Sequence, residues 1–147
     1  MTRSDVTERI IEAKRQKGLS FKALAEKVGR SEVWTTAALL GQMGMGEAEA
    51  RAAAQALGLD AEAQTLLRES PTKGSLDPLV PVDPLLYRFY EILQVYGTTI
   101  KALIHEKCGD GIMSAIDFEM AIERVADPKG DRIKVTMNGK FLPYRVW

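Results

Sequence analysis

An α+β fold is predicted for this 147-residue chain by three features of its sequence. Residues 4–68 carry helix caps and stops at short intervals, residues 69–84 hold four of the six prolines, and beyond Ser114 the hydrophobic period changes from helical to two. The expected order is an N-terminal helical bundle over 1–68, a proline-rich linker over 69–83, and a helix-plus-β-hairpin domain over 84–147.

The bundle follows from its punctuation. Ser4 can cap a first helix with Val6, Ile10, Ile11 and Ala13 on one face, and Gly18 stops it. Ser20 caps Phe21–Val28, which Gly29 ends; Ser31 caps a third helix through Leu40, ended by Gly41. A fourth helix is predicted from about Gly46 to Leu57, and a shorter fifth after Asp60. Pro71, Pro78, Pro81 and Pro84 then restrict their own backbone and that of the preceding residues, so this stretch should be extended and should lie against one of the units it joins.

Asp83-Pro84 starts another helix, with the aspartate as cap and the proline at the first helical position. It should run to about Tyr96, with Gly97 ending it and Thr98–Lys107 forming a second helix before Gly109 and Gly111. Phe118, Met120 and Ile122 alternate as in a strand, Asp127-Pro-Lys-Gly130 makes a turn, and Ile133, Val135 and Met137 alternate in a second strand. Asn138-Gly139 reads as a further tight turn. A lone hairpin is marginal in water, so another subunit is the simplest source of a partner sheet.

Composition removes several classes of function. Residues 1–70 and 71–147 each carry ten basic and ten acidic side chains, so neither half has the excess positive charge used to bind phosphate backbones. No segment approaches the roughly 20 apolar residues of a membrane span, and Met-Thr-Arg-Ser-Asp lacks the apolar core of a signal peptide. A single cysteine makes no internal disulfide. A cytoplasmic protein with neither nucleic-acid nor membrane partners is expected.

The pattern Leu19-Ser-x-x-x-Leu24-Ala…Gly29-x-Ser31 resembles the helix-turn-helix of lambda-repressor-like domains. This makes a transcriptional regulator, with a C-terminal dimerisation and ligand domain, the alternative reading. Its recognition helix would be Ser31–Leu40, which offers a glutamate, a tryptophan and two threonines instead of base-reading Arg, Lys, Asn or Gln. A packing or assembly module is the preferred interpretation.

On the helix from Pro84, Leu85, Leu86, Phe89, Ile92, Leu93 and Tyr96 share one arc, the expected core face. Arg88 and Glu91 lie off that arc and close enough to meet, on a side that also carries Tyr87, Tyr90 and Val95. An isolated Arg/Glu pair at this spacing is ordinarily a solvated ion pair. The apolar company here suggests a subunit interface instead, where the pair would be partly desolvated and able to hold an anion. Ser114 follows Gly109-Asp-Gly, where backbone amides can also face a ligand. Arginine's planar fork suits small carboxylate-like anions.

These segments, Asp83–Gly97 and His105–Ile116, continuing less densely to Gly139-Lys-Phe-Leu-Pro143, closely resemble cyanate hydratase (cyanase). The resemblance implies that Arg88, Glu91 and Ser114 are catalytic and that bicarbonate attacks cyanate to give carbamate and carbon dioxide. Carbamate would then yield ammonia and a second carbon dioxide. It implies no metal or organic cofactor, bicarbonate as co-substrate, and a homodecamer built from dimers with sites at subunit interfaces.

Other signals carry less. His105 is the only histidine, which excludes a His-Glu-x-x-His zinc site, and nothing in the spacing requires a Ser114/His105/Asp110 triad. Cys108 departs from the family's aromatic residue and reads as packing. Met43, Met45, Met113, Met120 and Met137 read as core or interface filler.

Overall fold

The computed structural model describes residues 1–74 and 79–147. Its elements in chain order are α1 (Arg3–Gln16), α2 (Phe21–Val28), α3 (Glu32–Leu39), α4 (Glu47–Leu57), α5 (Ala61–Arg68), α6 (Pro84–Cys108), β1 (Gly111–Val125) and β2 (Arg132–Pro143). The two strands pair as a single hairpin. The fold is α+β, with helices first and the hairpin last.

Two compact units are present: Met1–Ser75 with Ala121–Ile133, and Leu76–Met120 with Lys134–Trp147. The hairpin tip therefore belongs with the helical bundle, where Ile122 lines an apolar groove of about 380 Å³ with Phe21, Val33, Ala37 and Leu40. The hairpin base belongs with α6.

The bundle is built as its caps dictate. Ser20, Ser31 and Asp60 accept hydrogen bonds from the amides of Ala23, Trp34 and Ala63, three residues on. The first cap is Thr2 instead of Ser4: Thr2 and Asp5 exchange bonds in a capping box, and the box satisfies two amides where Ser4 alone would satisfy one. α4 has half such a box, because Gly46 has no hydroxyl to give. The Glu49 carboxylate nevertheless accepts the Gly46 amide at 2.7 Å and pairs with Arg30.

Val6, Ile10, Leu24, Ala38, Leu39, Met45, Ala50, Ala53, Leu57, Ala63 and Leu67 form one core. Ile11, expected on the core face, is half exposed because Val6 and Ile10 already fill the seam. Leu24 is fully buried, so Leu24→Ala is expected to cost about 3 kcal/mol in thermal denaturation.

Glu49 also gives the bundle a pH dependence. The Gly46 amide and then Arg30 hold its carboxyl below the ordinary glutamate range. A lowered folded-state pKa contributes stability above the unfolded value, about 4.3, which is lost as pH falls through the folded value. Glu49→Gln is expected to lower stability by about 1 kcal/mol at pH 7. It should also shrink the acid-induced loss below pH 5, as read by circular dichroism melts.

Beyond α5, residues 69–74 and 79–83 form neither helix nor strand; Pro78 lies outside the described residues. The Gly74 amide donates to Gln42 at 2.9 Å, which lays the first part of this segment on the bundle.

The second unit departs from expectation in three places. α6 passes straight through Gly97 instead of ending there. An interior glycine costs about 1 kcal/mol but supplies no stop unless the backbone turns left-handed, and Gly97 does not. The helix ends at Gly109, whose positive φ of 94° does turn the chain. Second, β1 begins at Gly111, three residues before Ser114, beyond which strand character was expected. Third, Asn138-Gly139 is not a turn and lies within β2; the hairpin turns at 127–130, where Gly130 donates to Asp127.

Candidate active site

Asp83 starts the element that carries the first two candidate residues. Its carboxylate accepts the amides of Leu85 and Leu86, each at 3.0 Å, and Pro84 sacrifices no hydrogen bond in the first turn. One turn later the Arg88 guanidinium donates to the Glu91 carboxylate. Arg88 also lies 5.5 Å from the centre of the Tyr87 ring, and the Tyr87 and Tyr90 rings are 6.0 Å apart. The cation is thus held on one side by a carboxylate and on another by an aromatic face.

The environment of α6 inverts the expected faces. Leu85, Leu86, Phe89, Ile92, Leu93 and Tyr96 are 39–61% exposed, and the helix buries no residue at all. The partly covered positions are Tyr87, Glu91 and His105 on the opposite side, Tyr90 and Gly97 at the flank, and Ile104 in line with Leu86. The arc predicted as core is therefore uncovered by the chain's own residues, and Glu91 sits on the half-covered side. Hydrophobic periodicity alone locates two apolar faces but does not rank them, since tyrosines cover surface as leucines do.

Ser114 lies inside β1, not in a loop, and is only 6% exposed. Its hydroxyl accepts the amides of Ile116 at 3.0 Å and Asp117 at 2.9 Å. It bonds neither to Arg88 or Glu91 nor to His105. The catalytic-triad arrangement is not formed: His105 lies 4.0 Å from Asp110 and 3.4 Å from Lys101. Cys108, the last residue of α6, is exposed instead of packed.

Among the described residues, no three of His, Cys, Asp and Glu gather as metal ligands would. The shallow trough between α1 and the α4–α5 corner, about 580 Å³, is lined by Glu8 and by three charges engaged within the bundle: Arg9 with Asp60, Glu12 with Arg15, and Lys17 with the Ala56 carbonyl. Sequence reasoning did not foresee that the amides around Ser114 would be spent on its own hydroxyl.

Both halves of the chain match models of one known family. Residues 3–71 match the family model described as cyanate hydratase, N-terminal, and residues 78–146 match the cyanate lyase C-terminal domain. The cyanate hydratase of Cupriavidus necator is 60% identical over 147 residues, all of both chains. That of Variovorax paradoxus is 57% identical, again over the whole of both.

The chain belongs to the cyanate hydratase family.

It is thereby an enzyme of a lyase family, as the resemblance of its sequence implied. The structural comparison agrees at lower identity. A crystal structure of cyanase from T. urticae superposes with a TM-score of 0.82 and 36% identity, covering 94% of this chain and 96% of that one. The two chains thus share one fold. The lambda-repressor-like pattern of the bundle falls within the family's own N-terminal region.

Proposed function

We propose that this chain decomposes cyanate with bicarbonate, at a site made from Arg88, Glu91 and Ser114. The supporting observation is the Arg88–Glu91 pair, fixed against Tyr87 on a helix whose apolar surface its own chain leaves open. A permanent cation with a planar fork, brought to a hydroxyl donor across a subunit interface, suits two small monoanions that must meet despite their like charge.

The bicarbonate oxygen attacks the cyanate carbon, and a proton goes to nitrogen. The bond between the bicarbonate carbon and the bridging oxygen of the resulting dianion then breaks, releasing carbon dioxide, and one proton taken up at nitrogen leaves carbamate. Carbamate takes up a second proton and separates into ammonia and a second carbon dioxide. Arg88 neutralises the paired anions and the dianion between them, where charge is greatest. Ser114 orients a substrate oxygen, and Glu91 positions Arg88 and handles the protons that the reaction consumes. Bicarbonate supplies the attacking oxygen, so the scheme calls for no metal or organic cofactor.

The proposed assembly is a homodecamer of dimers with the site at subunit interfaces, in the cytoplasm. The open arc of α6 supports a covering subunit. No helix among the described residues is long and apolar enough to cross a membrane. The proposal excludes a nucleic-acid partner: Arg30, the cation beside α3, is paired with Glu49 and lies 5.7 Å from the Trp34 ring centre. In the cell the reaction would remove cyanate and release its nitrogen as ammonia.

Stoichiometry with ¹³C-labelled bicarbonate tests the scheme. Two carbon dioxide molecules per ammonia are expected, one of them carrying the label. One carbon dioxide per ammonia, unlabelled, would mean simple hydrolysis.

A further inference from the structure

A serine hydroxyl has two lone pairs and one proton. In Ser114 both lone pairs are occupied, by the amides of Ile116 and Asp117. What remains is the proton, so this hydroxyl can serve a ligand only as a donor. The direction in which it donates is set by the backbone between 114 and 117.

That backbone is shaped by β2. The Asn138 side chain donates to Glu119 at 2.8 Å, whereas Gly139, the next residue, lies against Met113 and Ser114. β2 advances one residue where β1 goes from 114 to 119. The surplus on β1 is accommodated as a bulge, from which Ile116 projects 98% exposed.

Gly139 permits this approach. A Cβ there would stand 2.5 Å from the Ser114 carbonyl oxygen and 2.5 Å from Met113 Cγ. Methionine can swing aside, but the carbonyl is backbone and cannot move without taking Ser114 with it. At the end of the hairpin Gly111 is equally confined, by the Leu142 carbonyl and the Phe141 ring. Gly111 and Ser114 are the two buried residues among the described residues of this unit.

We infer that Gly139 is a positioning residue: by admitting β2 against the Ser114 carbonyl it fixes the bulge whose amides aim the Ser114 proton at the substrate. This rests on the reading that Ser114 contacts substrate. It adds a residue on the opposite strand, and a donor-only role for the hydroxyl.

A double-mutant cycle on cyanate consumption tests it, using Ser114→Ala, Gly139→Ala and the pair. Each single change is expected to lower kcat about a hundredfold, the scale of an ångström-sized misplacement. The pair should be no worse than Ser114→Ala, because Gly139 acts through the hydroxyl already removed. Multiplied losses would overturn the inference. So would recovery of activity in Met113→Ala/Gly139→Ala, since that relieves only the contact that can move.

If Gly139→Ala fails to fold, Ile116→Pro deletes one of the two amide donors at an exposed side chain. A tenfold or larger fall in kcat is expected (on the order given by), and parental kcat would overturn the inference. Full activity in Ser114→Ala would instead remove the underlying reading. A dead Ser114→Ala beside a fully active Gly139→Ala would remove only the role of Gly139.

Discussion

Arg88→Leu is expected to lower kcat/KM for cyanate by about a thousandfold while leaving the fold unchanged. The loss follows from the guanidinium's place in the scheme: removing one preorganised donor to a developing oxyanion costs about 10²–10³, and here a full charge goes with it. Stability should barely change, because the Arg88 and Glu91 side chains are 59% and 45% exposed, and pairs this open contribute about 0–1 kcal/mol. Arg88→Lys keeps the charge but not the fork, so partial activity with weakened bicarbonate saturation is expected. Steady-state kinetics against each substrate, beside a thermal melt, separate the two effects. An Arg88→Leu enzyme with parental rate and bicarbonate dependence would remove Arg88 from the site.

The second large effect concerns assembly. α6 buries nothing in its own chain, and the trio it helps to form is not closed there either: Arg88 and Glu91 reach each other, while Ser114 is bonded to its own strand. Dissociating the oligomer is therefore expected to reduce activity by at least a hundredfold, the scale set by lost positioning. The helical bundle should survive, because its core, from Val6 to Leu67, is made entirely of its own residues. Activity, sedimentation and circular dichroism followed together through mild denaturant should show activity lost with the oligomer, ahead of the bundle. A dissociated chain of full activity would contradict the interface site.

The bundle was legible in the sequence because local chemistry decides it. A short polar residue before an apolar run and a glycine after it define α2 and α3 whatever surrounds them, and Ser20, Gly29 and Ser31 do as their types require. The second unit was less legible, for physical reasons that differ by residue. Gly97 lowers helix propensity without forbidding a helix, so a long apolar repeat on both sides carries α6 through it. The faces of α6 were misranked because an apolar face buried in a core and one left exposed have the same hydrophobic period. Asn138-Gly139 has the composition of a tight turn, yet its glycine is needed for close approach to Ser114. A motif does not distinguish those two uses; the strand opposite does.

Of the candidate site, the pairing of Arg88 with Glu91 was readable and the setting of Ser114 was not. The spacing of Arg88 and Glu91 foretold their pairing, because three residues on a helix place side chains side by side. Ser114 was placed correctly in the chain but not in its surroundings, since hydrogen bonds to its own following amides depend on a bulge that the two strands create together.

The most direct measurement is ammonia release from cyanate by the purified enzyme, in carbon-dioxide-free buffer and again with added bicarbonate. The proposed chemistry predicts negligible ammonia without bicarbonate and a saturable rise with it, lost in Arg88→Leu. Ammonia released at the same rate in both buffers, or in neither, would contradict it.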